Sequence, residues 1–193
     1  MKKVSVFLML LICFPLAVVA ASSAGAANRK TAVRCLKLAE NYLSSRDFEN
    51  AMVQAELGLS YDDTVSDLWY IKAAAKSGLG APRAEVLPLA VKALTEGEWV
   101  DYNRDGARIL YADLLCDTGE GAQAVAVLDA NPFIYSSDAE FIRTKAYYRM
   151  LTPESIEKAR GKVNAARKIY PADMRFPRLF FTYEYMLSSR EDF

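Results

Sequence analysis

Histidine is absent from this sequence of 193 residues. The chain therefore lacks the usual general base, the commonest metal ligand and the usual partner of a nucleophilic serine or cysteine. We accordingly predict no catalytic residue, no metal ligand and no cofactor. Neither sign of charge is in excess, because Lys+Arg and Asp+Glu both total 24. A nucleic-acid partner is therefore not expected, since such proteins usually carry a basic excess.

Cysteine is also scarce, with three in the chain. Cys13 lies in an apolar N-terminal segment, which leaves Cys35 and Cys116 for the folded part. These two fall in different predicted helical hairpins, too far apart for the short Cα separation that a disulfide needs. We expect two free and buried side chains.

The N-terminal segment has the composition of a targeting sequence. Lys2 and Lys3 precede an uncharged, largely apolar run over residues 4–21, which Pro15 interrupts and the small residues 24–26 follow. This order of charge, apolar run and small residues is typical of a secretory signal peptide. We expect export, to the periplasm of a bacterium.

The predicted boundaries are a signal peptide over 1–26 and a mature domain over 27–193. A second candidate cleavage site lies at residues 18–20. The alternative is an uncleaved anchor in the inner membrane, because the apolar run approaches the ~20 residues of a spanning helix. A lipoprotein signal at Cys13 is less favoured, since a bulky isoleucine precedes the cysteine.

Small and aromatic residues recur at fixed spacings along the rest of the chain. The three runs are Ala39, Tyr42, Ala51, Ala55 and Gly58; Ala112, Leu115, Ala124 and Leu128; and Ala159, Val163, Ala166 and Pro171. An internal period of this size indicates stacked helical hairpins, with small residues where two helices cross closely. The sequence therefore predicts an all-α fold.

The apolar periodicity and the turn residues divide the chain into four hairpins and one extra C-terminal helix. The predicted helices are 30–44 and 47–60, 64–77 and 85–97, 101–117 and 120–130, 137–150 and 153–169, and finally 173–189. The last segment ends in a stretch, Tyr185 to Phe193, that resembles the first turn, Tyr42 to Phe48. The chain thus stops where a partner helix would begin.

Several polar residues are predicted to cap these helices. Asp63 or Thr64 is suited to start the second hairpin, and Thr152 before a proline is suited to start the helix at 153. Asp138 and Asp173 are assigned the same role. A tyrosine precedes three of the junctions and is expected to pack between hairpins: Tyr61, Tyr135 and Tyr170.

The recurring residues resemble the tetratricopeptide repeat family. The matching positions are Ala39, Tyr42, Ala51 and Gly58 in hairpin one, Trp69 and Ala73 in hairpin two, and Ala159, Ala166 and Pro171 in hairpin four. The resemblance extends over residues 30–193. It implies a right-handed α-solenoid whose concave face is lined by the first helix of each hairpin, and which typically binds peptides or other proteins.

Taken in phase, the resemblance predicts a groove that would hold a peptide or a helix. The predicted lining residues are Leu36, Glu40, Leu43, Tyr70, Ala74, Ile109, Asp113, Cys116, Arg143, Tyr147 and Met150.

The last predicted helix is apolar around most of its circumference, with Phe180, Phe181, Tyr183 and Tyr185 close together. An uncovered surface of this kind marks an interface. Three occupants are open: a second copy in a homo-oligomer, another protein, or the continuation of a longer chain. The alternative is a terminal cap whose aromatic side chains all turn inward.

These features predict a non-enzymatic protein-interaction scaffold or adaptor of the bacterial cell envelope. Two alternatives stay open. One is an enzyme or accessory of envelope polymer metabolism, which would need an acid such as Glu40 or Asp113 in a deep groove. The other is a membrane-tethered, homo-oligomeric structural module, favoured if the N-terminal segment is retained.

Overall fold

A computed structural model describes residues 25–101, 104–130 and 136–191, and these residues form nine helices. The helices are α1 (25–44), α2 (Phe48–Tyr61), α3 (Ser66–Gly78), α4 (Arg83–Thr95), α5 (Arg104–Asp117), α6 (Gly121–Asp129), α7 (Ser137–Met150), α8 (Pro153–Ile169) and α9 (Arg175–Glu191). No strand occurs in the described ranges beyond one isolated bridge. The predicted all-α class is therefore confirmed.

The predicted bounds of α7 and α8 coincide with the observed ones, and most of the others differ by one to three residues. The largest difference is at α1, which is already helical at residue 25. Its first turns are held by Arg29, which donates to Asp62 over 3.1 Å and to Thr64 over 2.9 Å. Most of the predicted signal segment, residues 1–24, and Tyr135 lie outside the described residues.

The first of two compact units contains residues 25–79 and Glu96–Val100. Helices α2 and α3 pack closely because small residues face the contact. A Cβ on Gly58 would lie 2.7 Å from Leu68 Cδ1, and one on Gly78 would lie 2.7 Å from the ring of Phe48. Ala51 and Ala55 are fully buried. The small residues of the first repeat thus mark close helix contacts, as predicted.

A short strap, residues 96–100, binds the start of α3. Glu98 N donates to Thr64 O over 2.7 Å and Ser66 N donates to Glu98 O over 3.0 Å, which forms a parallel bridge between Val65 and Glu98. Gly97 has φ +100°, and a Cβ there would collide with Thr64 O. Glycine is therefore required at this turn.

The cap predicted for α3 is wrong. Val65, not Asp63 or Thr64, is the N-cap residue, and it makes no side-chain cap bond. The Thr64 hydroxyl instead donates to Asp62 over 2.6 Å and accepts from Arg29. The strap satisfies the start of the helix through the backbone, so a tertiary contact replaces the local cap.

The second unit contains residues 80–95 and the described residues from 101 onward. Helix α4 packs on α5, and from α5 to α9 successive helices pack on one another, with α5 also on α7 and α7 on α9. This is the contact pattern of stacked hairpins. The predicted second hairpin is divided, because α3 belongs to the first unit and α4 to the second.

The cap predicted at Asp138 is also wrong. Ser136 caps α7, since its hydroxyl accepts from Ala139 N over 3.1 Å. Asp138 lies inside the first turn, and its carboxylate pairs with Arg175 at 2.7 Å. Asp173 lies two residues before the first residue of α9, and its carboxylate accepts from the backbone N–H of Arg175 over 3.1 Å, so it satisfies one N–H group at the start of the helix.

The predicted start of α8 is confirmed in detail. Thr152 is the N-cap residue and Pro153 follows at the first helical position. The Thr152 hydroxyl accepts from Ser155 N over 3.2 Å, and the Ser155 hydroxyl accepts from Thr152 N over 3.1 Å. This capping box satisfies two backbone N–H groups at the start of α8 that would otherwise have no partner.

Other side-chain predictions have mixed outcomes. Tyr61 is 43% exposed, so the prediction that it packs between hairpins is wrong. Tyr170 is half-buried and stacks on Phe176 with 6.3 Å between ring centroids. Cys35 and Cys116 are free and buried, as predicted.

Within the described residues, no helix combines the length and the apolar character that crossing a membrane requires.

Candidate protein-binding surface

The inner face of α9 is held in the core by aromatic contacts. Phe176 is fully buried and meets Phe141 of α7 edge to face, with 5.8 Å between centroids. Tyr183 is 6% exposed and stacks on Tyr148 of α7 at 4.7 Å and 9°. These pairs add to the burial of two large side chains and fix where α9 lies against α7.

A polar contact fixes the rotation of α9 about its axis. Arg160 of α8 donates to both oxygens of Glu184, from Nε over 2.9 Å and from Nη2 over 2.6 Å, and the Tyr148 hydroxyl donates to Glu184 over 3.5 Å. The hydrogen bonds from Arg160 hold the pKa of Glu184 below its usual value. Burial raises the pKa of Tyr148 to about 12. Because Tyr183 and Glu184 are adjacent and both are engaged, α9 has little freedom to roll.

The outer face of α9 carries two large exposed aromatic side chains. Phe181 is 70% exposed and Tyr185 is 76% exposed, and their i,i+4 spacing puts them on one face. We call these two residues the aromatic surface. With about 200 Å² for a whole aromatic side chain, they expose about 300 Å². This value reaches the size of the largest apolar patch on an ordinary monomer, about 300–600 Å².

The four residues predicted for the terminal interface therefore divide. Phe181 and Tyr185 are exposed, whereas Tyr183 is a buried anchor. Phe180 is half-buried in the core cluster around Tyr148, and its ring meets Phe181 at 5.7 Å. Phe180 thus packs between the core and Phe181 of the aromatic surface.

The residues predicted to line the groove in the first unit are mostly covered. Leu36 is fully buried and has no exposed surface to offer a ligand. Glu40, Leu43 and Ala74 are half-buried. Tyr70 is also half-buried, and its ring lies 6.4 Å from that of Trp99 in the strap.

In the second unit, Arg143 holds the end of α6. It is 6% exposed, and its guanidinium donates to Asp129 over 2.9 Å, to Glu140 over 2.6 Å and to Leu128 O over 3.1 Å. A cation at the last turn of a helix satisfies terminal carbonyl groups and opposes the negative end of the helix dipole. Arg143 therefore connects α7 to the end of α6.

The remaining predicted groove residues contact other helices of the second unit. Ile109 packs half-buried against the core, and Cys116 is fully buried. Tyr147 lies under Lys162 of α8 at 5.9 Å, and Met150 lies beside Gly121 of α6.

Asp113 belongs to an ion-pair network between α5 and α7. Lys145 Nζ lies 2.7 Å from Asp113 and 2.8 Å from Asp117, and Arg149 lies 3.7 Å from Asp117. Arg83 of α4 pairs with Asp117 at 2.5 Å. Burial lowers the pKa of Lys145, but hydrogen bonds to the two aspartates raise it above its usual value.

Besides Arg83 of α4, three of these residues were not singled out in the sequence: Asp117, Lys145 and Arg149. Their spacing carries the information, because Asp113 and Asp117 are four residues apart on α5 and Lys145 and Arg149 are four apart on α7. Opposite charges at equal spacing on neighbouring helices can pair across the contact. No group of three or more potential metal ligands occurs in the part of the chain that the structure describes.

The described residues form an all-helical fold, and its last helix, α9, exposes the aromatic surface. Comparison with models of protein families finds no match, and no solved structure matches the chain. An uncharacterized protein of Treponema pallidum (strain Nichols) is 31% identical over 148 residues, which is 76% of this chain and 18% of that protein. The chain therefore corresponds to about a fifth of this much longer relative.

Proposed function

We propose that this protein is a non-enzymatic adaptor of the bacterial cell envelope, which binds another protein through the aromatic surface of α9. The observation that carries the proposal is the exposure of Phe181 and Tyr185 on a helix whose opposite face is already satisfied. Large aromatic side chains are the residues that most often dominate binding energy at protein interfaces.

The anchoring of α9 supports this role. The stack of Tyr183 on Tyr148 and the bidentate contact of Arg160 with Glu184 present the aromatic surface in one orientation. A surface that is already ordered loses little conformational entropy when it binds.

The proposal includes the right-handed solenoid of four hairpins and one extra helix that the tetratricopeptide resemblance implies. The contacts of α5 through α9, each with its next neighbour, support it. A peptide laid across α5 and α7 would be a second mode of binding. The half-exposed Asp113 and the exposed Arg149 offer it charges of both signs.

The proposed location is the periplasm, after removal of residues 1–26. Its support is the charge and apolar pattern of the N-terminal segment. An intact mass of the purified protein distinguishes cleavage from a retained inner-membrane anchor.

The experiment compares proteins captured from envelope extract by the immobilised protein and by two variants. Phe181→Asp with Tyr185→Asp removes the aromatic surface. Ile169→Asp is the matched control, because Ile169 on α8 is a large apolar residue that is 67% exposed. Phe180 is left unchanged, since it is half-buried and its loss would disturb the core.

We expect the wild type and the control to recover the same protein, and the double variant to lose it while its circular dichroism spectrum is unchanged. Equal recovery by all three would contradict the proposal. It would favour the two alternatives, an enzyme or accessory of envelope polymer metabolism and a membrane-tethered, homo-oligomeric module whose copies meet elsewhere.

A further inference from the structure

We infer that the aromatic surface of α9 binds helix α2 of a second copy of this chain, an inference that rests on the proposed function. Helix α2 carries its own exposed apolar stripe. Val53 is 52% exposed, Leu57 is 44% exposed and Tyr61 is 43% exposed, at i, i+4 and i+8. Single exposed apolar residues are ordinary, but a regular stripe along one helix face is an interface feature.

The stripe is additional to the face that packs inside the molecule. Ala51, Ala55 and Gly58 form the buried face of α2, where it approaches α3. Val53 and Leu57 lie on the opposite, exposed face of α2. The repeat pattern draws attention to the small residues, so the second apolar face is easily missed in the sequence.

The aromatic surface matches the first two residues of the α2 stripe in spacing. Val53 and Leu57 are four residues apart, as are Phe181 and Tyr185. At 1.5 Å per residue, each pair spans about 6 Å along its helix. Two helices packed side by side can therefore bring Val53 against Phe181 and Leu57 against Tyr185.

The charges that precede each stripe are opposite. Exposed Glu49 lies one turn before Val53, and α2 contains no lysine or arginine. Exposed Arg178 lies about one turn before Phe181. Among the described residues, no hydrogen bond or ion pair engages the carboxylate of Glu49 or the guanidinium of Arg178. A parallel arrangement of α2 and α9 places these two charges side by side and so selects one orientation.

Because the contact joins α2 of one copy to α9 of the other, the pair keeps one free α9 and one free α2 for further neighbours. Such heterologous association continues as a chain or closes as a ring. A symmetric contact of α9 with α9 would stop at a dimer and would leave the stripe of α2 uncovered.

Sedimentation of the purified protein at increasing concentration tests this arrangement with two single variants. Val53→Asp disables α2 and Phe181→Asp disables α9, and both positions are more than half exposed, so the core is left intact. We expect the wild type to grow beyond a dimer and each variant alone to be a monomer. An equimolar mixture of the two variants should form dimers only, because it has one intact α2 and one intact α9 per contact.

The charge pair gives a second readout. Glu49→Arg should weaken association about tenfold, and Glu49→Arg combined with Arg178→Glu in the same chain should restore it. Failure of the mixed variants to associate would overturn the inference. A wild-type dimer that Val53→Asp does not affect would overturn it as well, in favour of contact between two α9 helices.

This test separates the inference from the proposed function. A protein that is monomeric at every concentration, but whose capture of another envelope protein still requires Phe181, would refute the second copy and retain the adaptor. A monomeric protein that also captures no envelope protein through Phe181 would refute both the second copy and the adaptor.

Discussion

The contact between α6 and α7 predicts opposite effects for the same substitution at two glycines. A Cβ on Gly121, the first residue of α6, would lie 2.6 Å from the backbone oxygen of Ala146 in α7. A Cβ on Gly161, inside α8, would have nothing within 4 Å. We therefore expect Gly121→Ala to destabilise the fold and Gly161→Ala to stabilise it.

The magnitudes follow from the distances. Ordinary contacts of a Cβ begin at 3.4 Å, so Gly121→Ala must separate the two helices by about 0.8 Å. The obstructing atom belongs to the backbone and cannot rotate away. Overpacking of this kind costs about 1–3 kcal/mol. At Gly161 the gain is the difference in helix propensity, about 0.5–1 kcal/mol.

Urea denaturation followed by circular dichroism measures both variants against the wild type. The two glycines lie in the same compact unit, so one transition reports both changes. The expected separation between the two variants is about 1.5–4 kcal/mol, the sum of the two effects. If Gly121→Ala is as stable as the wild type, α6 and α7 do not meet at this point, and the reasoning from small residues fails.

Thr152→Ala should lower stability by about 1 kcal/mol because the reciprocal cap of α8 is lost, and Thr152→Ser should retain it. The pKa of Glu184 is lowered by its hydrogen bonds from Arg160, so the carboxylate stabilises the fold above the usual glutamate pKa and loses this effect as pH falls through the folded pKa. Melting curves should show the wild type above Glu184→Gln at pH 7 and the two converging in acid; a constant gap would contradict this. Burial raises the pKa of Cys116 to about 12, so a thiol reagent at pH 8 should label it only after unfolding, and rapid labelling of the native protein would be inconsistent with its burial.

The helices themselves were largely predictable because their signals are local. The start of α8 combines a threonine cap with a proline at the first helical position, and both effects operate within a few residues. The buried alanines of the repeats were predictable for a related reason, since periodic small residues indicate close helix crossings. Ala51, Ala55 and Ala112 are all fully buried.

The start of α3 shows where local signals fail. At α3 the strap from residues 96–100 bonds to the backbone around Val65, and Thr64 is drawn to Asp62 and Arg29 instead. The strap is more than thirty residues away in sequence, so no local pattern contains it. Tertiary contact here overrides local preference.

The candidate site was predictable as a segment but not as a surface. Aromatic residues occur all round α9, so periodicity does not show which face of the helix is buried. The buried face is selected by partners far away in sequence, the ring of Tyr148 and the guanidinium of Arg160. For the same reason the burial of Arg143 was not predicted, because its partners Asp129 and Leu128 O lie on another helix, α6.

Site-specific photo-crosslinking in living cells tests the central claim, that the exposed face of α9 is covered by a protein, most directly. A photoreactive phenylalanine analogue would replace Phe181 in one strain and the equally exposed Ile169 in another. We expect a discrete covalent protein adduct at position 181 and none at 169, with twice the mass of the chain if the partner is a second copy. No adduct at 181, or equal adducts at both positions, would contradict it.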